Sequence, residues 1–177
     1  AQLGMVMYSG GKQWVPQFGP VPYGTPEKGG WTTQTISHNT VVVGKVSQNP
    51  VGTSTVEWPS DSSSSRVQGR LVQFDGLGKR VVVESEKAYP GLKLRRTQQL
   101  SGHNLVDDFT VEPMSATTTT RSFDYVLHIE GQYESSSFGL TATSGALGVN
   151  SGYKYVQKRM TATVSAPAPG AALPTGS

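Results

Sequence analysis

This sequence predicts an all-β fold, an antiparallel β-sandwich, on three observations. β-Branched runs such as Thr40-Val41-Val42-Val43 recur along it, and Thr and Val fit a pleated surface but lose rotamer freedom in a helix. Turn formers separate these runs: the 177 residues include 21 Gly and 11 Pro, with only 15% charged. No stretch of useful length repeats its apolar residues at the helical period. A chain of this size buries one sizeable core, so a single domain is expected.

Residues 4–8 read as a short apolar strand. Residues 9–30 read as one long functional loop, because Pro16-Gln17-Phe18-Gly19-Pro20 and Pro22-Tyr23-Gly24-Thr25-Pro26 admit neither helix nor central strand. Loops of that length are functional or disordered. The aromatics Trp14, Phe18, Tyr23 and Trp31 argue for order. Residues 40–43 form the next strand, followed by a polar turn, a segment at 53–58 and a serine-rich loop at 62–65. Strands at 67–74 and 80–84 then flank Asp75-Gly76-Leu77-Gly78, a hairpin signal in which glycine supplies positive φ. Strands at 92–100 and 105–111 pair around Ser101-Gly102-His103-Asn104, again turn chemistry. After a low-complexity loop at 117–120, residues 123–129 and 153–164 are the last strands. The sandwich domain is expected over 1–164, with the Ala, Pro and Gly of 165–177 forming a linker or disordered end.

Alternation orients the strands. Phe123, Tyr125 and Leu127 share one face, and Asp124, Val126 and His128 share the other. Asp124 and His128 stand roughly 13 Å apart along such a strand, too far for a direct catalytic pair. Lys93 and Arg95 lie opposite Leu92, Leu94 and Arg96. Two cations on a sheet face either meet a uronate or sulfate or form a solvated side.

Several function classes lose support. A net charge of +3 is too small to indicate nucleic acid. Zero cysteines exclude disulfides and thiolate metal sites and leave the compartment open. No apolar run is long enough to span a bilayer, and no positively charged start leads into a hydrophobic segment. The chain opens at Ala1 with strand-like text, and a piece of a longer protein is expected. There is no G-x-S-x-G elbow, and Gly76-x-Gly78 lacks the third glycine and the helix of a nucleotide fold. His38, His103 and His128 match no compact metal spacing. His38-Asn39 remains, at the mouth of the 40–43 strand, where a rigid element fixes two polar side chains. A histidine there is either structural or part of a site.

Trp31-x6-His38-Asn39-Thr40-Val41-Val42-Val43 followed by Gln48 resembles the sheet domain of heparinase II/III-type polysaccharide lyases, closest to the exo-acting oligoalginate lyases. The later order fits as well: Ala88-Tyr89-Pro90-Gly91, Arg95-Arg96-Thr97, Leu105-Val106-Asp107-Asp108-Phe109, Phe123-Asp124-Tyr125-Val126-Leu127-His128 with Gly131, and Gly152-Tyr153-Lys154-Tyr155-Val156. The resemblance implies the β-sandwich part of a two-part, periplasmic or secreted enzyme, closing over an N-terminal α/α-toroid that carries most of the catalytic residues. Such enzymes cleave uronate-containing polysaccharides by β-elimination, so an acidic poly- or oligosaccharide is the implied ligand. This chain alone is expected to be inactive.

The resemblance also implies roles for individual residues. His38 corresponds to a ligand of a zinc ion near the cleft. Of the other ligands, one is an upstream histidine absent here. The second is an aspartate of an Asp-x-Gly step, matched by Gln2-Leu3-Gly4 with glutamine in the ligand position. A tyrosine that reaches substrate precedes the histidine: Tyr23 is the better match and Tyr8 the weaker. Asn39, Trp31 and Arg95 are the expected substrate contacts. The alternative is a non-catalytic carbohydrate-binding or adhesive sandwich, with Trp14, Trp31 and Tyr23 stacking on sugars and Lys93 and Arg95 favouring acidic glycans. A structural surface-assembly module is a third reading.

Overall fold

A computed structural model describes residues 1–18, 21–48, 69–116, 121–135 and 139–163. The segments expected at 53–58, 62–65, 117–120 and 165–177 lie outside the described residues. The described chain is strands in antiparallel sheets with almost no helix: β1 (Met7–Ser9), β2 (Lys12–Val15), β3 (Val41–Val43), β4 (Arg70–Asp75), β5 (Arg80–Ser85), β6 (Leu92–Ser101), β7 (Asn104–Pro113), β8 (Phe123–Tyr125), β9 (Thr141–Thr143) and β10 (Arg159–Thr161). No helix among them is long and apolar enough to cross a membrane.

The largest sheet is β4-β5-β6-β7, in sequence order. Its turns follow local chemistry. Gly102 takes φ 59° between Ser101 and Asn104, the pair that closes β6 on β7. At the β4–β5 turn, positive φ falls on Lys79 (51°) and not on a glycine. Gly78 N–H donates to Asp75 Oδ1 at 2.8 Å, and a Cβ added there would push that carboxylate aside.

β3 lies at the centre. It pairs with β8, Val41 opposite Tyr125 and Val43 opposite Phe123, and all three valines are buried. Val41 and Val43 pack on Ala88, Tyr89, Leu92 and Leu94 of the large-sheet side. Val42 points the other way, into Ile36 and Tyr153, with Trp31, Val126, Leu147 and Val156 around them. A β-strand buried on both faces reads as a continuous apolar run rather than an alternating one, which explains three consecutive valines.

Three sequence expectations need correction. The segment 9–30 is not one loop: Gly10 and Gly11, at φ 59° and 76°, close a hairpin that makes Lys12–Val15 a strand paired with Met7–Ser9. The strand read over 123–129 ends at Tyr125, although its alternation continues to His128. The strand read over 153–164 is instead a 3-10 turn at Tyr153–Tyr155 followed by β10, which pairs with β9, a strand not anticipated. Tyr153 leaves the extended path because its ring fills the second cluster and its hydroxyl donates to Asp124.

Candidate functional site

The segment leading into β3 folds as a π turn at Lys28–Thr32 and a 3-10 turn at Thr35–Ser37. In the π turn, Thr33 N–H donates to Lys28 O at 3.3 Å. Gly30 lies close under Tyr155: a Cβ there would stand 2.8 Å from the Tyr155 hydroxyl, and that ring would have to shift. His38 follows in extended backbone, Asn39 sits in a tight turn whose Thr40 N–H donates to His38 O at 3.1 Å, and their side chains separate.

Asn39 goes inward and is 1% exposed. Its amide nitrogen donates to Met5 O (3.0 Å) and Pro16 O (2.7 Å), and its amide oxygen accepts from the His128 N–H (2.7 Å). Its main-chain oxygen accepts from Arg96 Nη1 at 2.6 Å. The amide is thus fully used in tying residues 5, 16 and 128 together. Asn39, expected to contact substrate, lines the smaller His38 cavity while its side-chain amide acts as a brace.

His38 goes outward and is half-buried. It lines two adjoining cavities, one of about 530 Å³ with Tyr8, Gln13, Gln17, Phe18 and Lys28, the other of about 290 Å³ with Leu3, Met5 and Gln17. A third, of about 760 Å³, lies across the wall formed by Gln13 and Phe18 and is lined by Leu127, His128 and Glu130. Burial lowers the His38 pKa to about 4, opposed by a hydrogen bond to the Thr32 backbone. The ring is therefore neutral near pH 7, with one nitrogen able to accept a hydrogen bond.

An aromatic cluster supports the floor. Trp31 meets His128 edge-on at 5.9 Å and Phe18 at 5.5 Å, while Phe18 meets His128 at 5.0 Å. Trp31 is half-buried between this cluster and the core, so it carries the floor more than it offers a free stacking face. Tyr23 is 90% exposed. It joins the rim through Lys28, whose ammonium sits 4.8 Å from its ring centroid. Tyr8, the weaker match, lines the His38 cavity directly.

Arg95 lies elsewhere, on the large sheet. It is ion-paired with Glu84, which also receives Lys93 Nζ at 3.2 Å and Arg70 Nη2 at 2.8 Å. Burial would raise the Glu84 pKa, but Lys93 and Arg95 outweigh it and hold the carboxyl below its ordinary range. Arg95 lines none of the His38 cavities, and its guanidinium is ion-paired with Glu84, a carboxylate it shares with Arg70 and Lys93.

The neighbouring Arg96 was not singled out from sequence, and it proves central. It is 1% exposed. Its guanidinium binds Asp107 through two parallel hydrogen bonds of 2.8 and 2.7 Å and donates to Leu3 O at 2.5 Å as well as to Asn39 O. Burial would raise Asp107, yet the hydrogen bonds from Arg96 and Tyr125 and the Arg96 charge hold it below the carboxylate range. Burial and then Asp107 push Tyr125 up to about 12. The signal was present: an arginine on the Leu92–Leu94 face must find a buried partner.

The donors expected for zinc do not fit. The Gln2 amide is neutral, and its oxygen accepts from Ser85 Oγ. Among the described residues, no three His, Cys, Asp or Glu side chains gather to hold a metal.

Residues 2–172 match the family model described as Heparinase II/III-like, C-terminal. No curated protein matches this chain.

Proposed function

We propose that this chain, which belongs to the heparinase II/III-like C-terminal family, is the sheet part of a polysaccharide lyase that cleaves uronate-containing polysaccharide, alginate or heparan-type, by β-elimination. The observation that carries the reading is the family match joined to a polar cleft at one sheet edge, with neutral His38 inside and Tyr23 and Lys28 on the rim. In β-elimination the proton at C5 leaves to a base, a C4–C5 double bond forms, the C4–O bond breaks, and the leaving oxygen takes a proton. Neutralising the neighbouring carboxylate makes the C5 proton acidic. Tyr23, exposed next to Lys28, is the candidate proton-transfer group, and His38 lines the cavity that Lys28 enters.

A companion α/α-toroid completes the cleft in this reading. An open, partly apolar edge supports it: Val6 and Tyr8 belong both to the His38 cavity and to a second hollow with Phe74, Leu100 and Leu105, and Val6, Tyr8, Phe74 and Leu100 are exposed. A polymeric substrate places the enzyme in the periplasm or outside the cell. The test is to incubate alginate or heparan-type oligosaccharide with this chain, with its upstream part and with both, following the ultraviolet absorbance of the unsaturated product. Product is expected only when both parts are present. Robust product from this chain alone would overturn the two-part assignment.

A further inference from the structure

We propose that Lys28 is the group that reads the sugar carboxylate in this cleft, with Tyr23 as its resting place; the inference rests on the uronate reading above and names a determinant of specificity within it.

Charge distribution is the first support. Among the described residues, Lys28 is the one lysine or arginine lining the cavity that holds His38; Tyr8, Gln13, Gln17, Thr32 and Thr33 supply hydroxyls and amides. The cavity across the Gln13–Phe18 wall carries the opposite charge, from Glu130. A carboxylate is drawn to the Lys28 side and repelled from the other, so the pair orients an acidic glycan along the edge.

Availability is the second. Arg70, Lys93, Arg95 and Arg96 are each bound to a carboxylate. Lys28 makes no ion pair among the described residues, and its ammonium lies over the exposed Tyr23 ring. An exposed cation–π contact is weaker than a charge-assisted hydrogen bond, so an arriving carboxylate displaces it readily. The freed Tyr23 ring then offers a face to the sugar.

Placement is the third. Lys28 N–H donates to Thr25 O at 3.1 Å, and Lys28 O accepts from Thr33 N–H at 3.3 Å and Thr32 Oγ1 at 3.2 Å. The side chain leaves from an anchored π turn, an element common at functional sites. Its reach is thereby fixed toward the cavity.

The experiment uses this chain together with its upstream part and measures calorimetric affinity for a uronate oligosaccharide and for the same oligosaccharide with its carboxyls reduced to alcohols. The native protein is expected to prefer the acidic form. Lys28→Gln is expected to lose roughly tenfold in affinity for the acidic form and nothing for the reduced one. Lys28→Arg should keep the preference, and the melting temperatures of both variants should match the native protein. If native protein prefers the acidic form and releases unsaturated product while Lys28→Gln binds it equally well, Lys28 is wrong and the lyase reading stands. Native protein that binds neither form and releases no product overturns both.

Discussion

The two ends of the Asn39 brace contrast sharply. On the large-sheet side, charge is paired: Arg96 and Asp107 bond each other, and Arg96 ties together the main chain of two segments, at Leu3 and at Asn39. At the cleft edge, secondary structure shrinks to a short hairpin and single turns, and polar groups face open space. A strong interior network lets a weakly structured edge keep a fixed shape, as preorganised sites require. Arg95 and Arg96 show the division within one dipeptide. The first balances a sheet-face carboxylate, and the second holds the site from behind.

Substitutions on either side should separate the two regions. Arg96→Ala removes the buried guanidinium and leaves half-buried Asp107 with Tyr125 but no ion-pair partner, and should destabilise the protein by about 2–3 kcal/mol in urea unfolding. A loss under 1 kcal/mol would mean that the network does not hold the edge. A smaller effect is expected from pH. The folded-state pKa of His38, about 4, lies below its ordinary 6.5, so unfolded chains bind a proton in that window and folded ones do not. The stability that neutral His38 contributes is complete above pH 6.5, falls as pH drops toward about 4, and then levels off. His38→Gln should flatten this part of a stability-versus-pH curve, and an unchanged slope would contradict the burial of the ring. Smallest in stability is Tyr23→Phe, within about 0.5 kcal/mol because the side chain is exposed. Turnover by the two-part enzyme should nonetheless fall. Unchanged turnover would leave Tyr23 as a resting place for Lys28 without a role in proton transfer.

Much of this division was legible in the sequence. The triple valine announced a strand, and alternation placed Asp124, Val126 and His128 on one side, where they meet Tyr153 and Trp31. The His38-Asn39 step pointed to the strand mouth where His38 lines a cavity, and the ordered motifs pointed to the family that the chain belongs to. The long loop was misread because its many prolines and glycines hid a Gly10-Gly11 hairpin signal. Asn39 and Arg95 were assigned outward roles because residue type does not reveal partners. The Asn39 amide finds Met5 and Pro16, and Arg95 finds Glu84, only in three dimensions. Lys28 escaped notice because nothing in a Gly-rich stretch announces a π turn.

Hydrogen exchange on this chain and its upstream part, with and without a uronate oligosaccharide, tests most directly whether ligand is met at the edge and held from the sheet. Added protection is expected over 5–18, 25–38 and 126–131, with β5 and β6 already slow and unchanged. Protection appearing on the large sheet around Glu84 and Arg95, with the edge unaffected, would contradict the account.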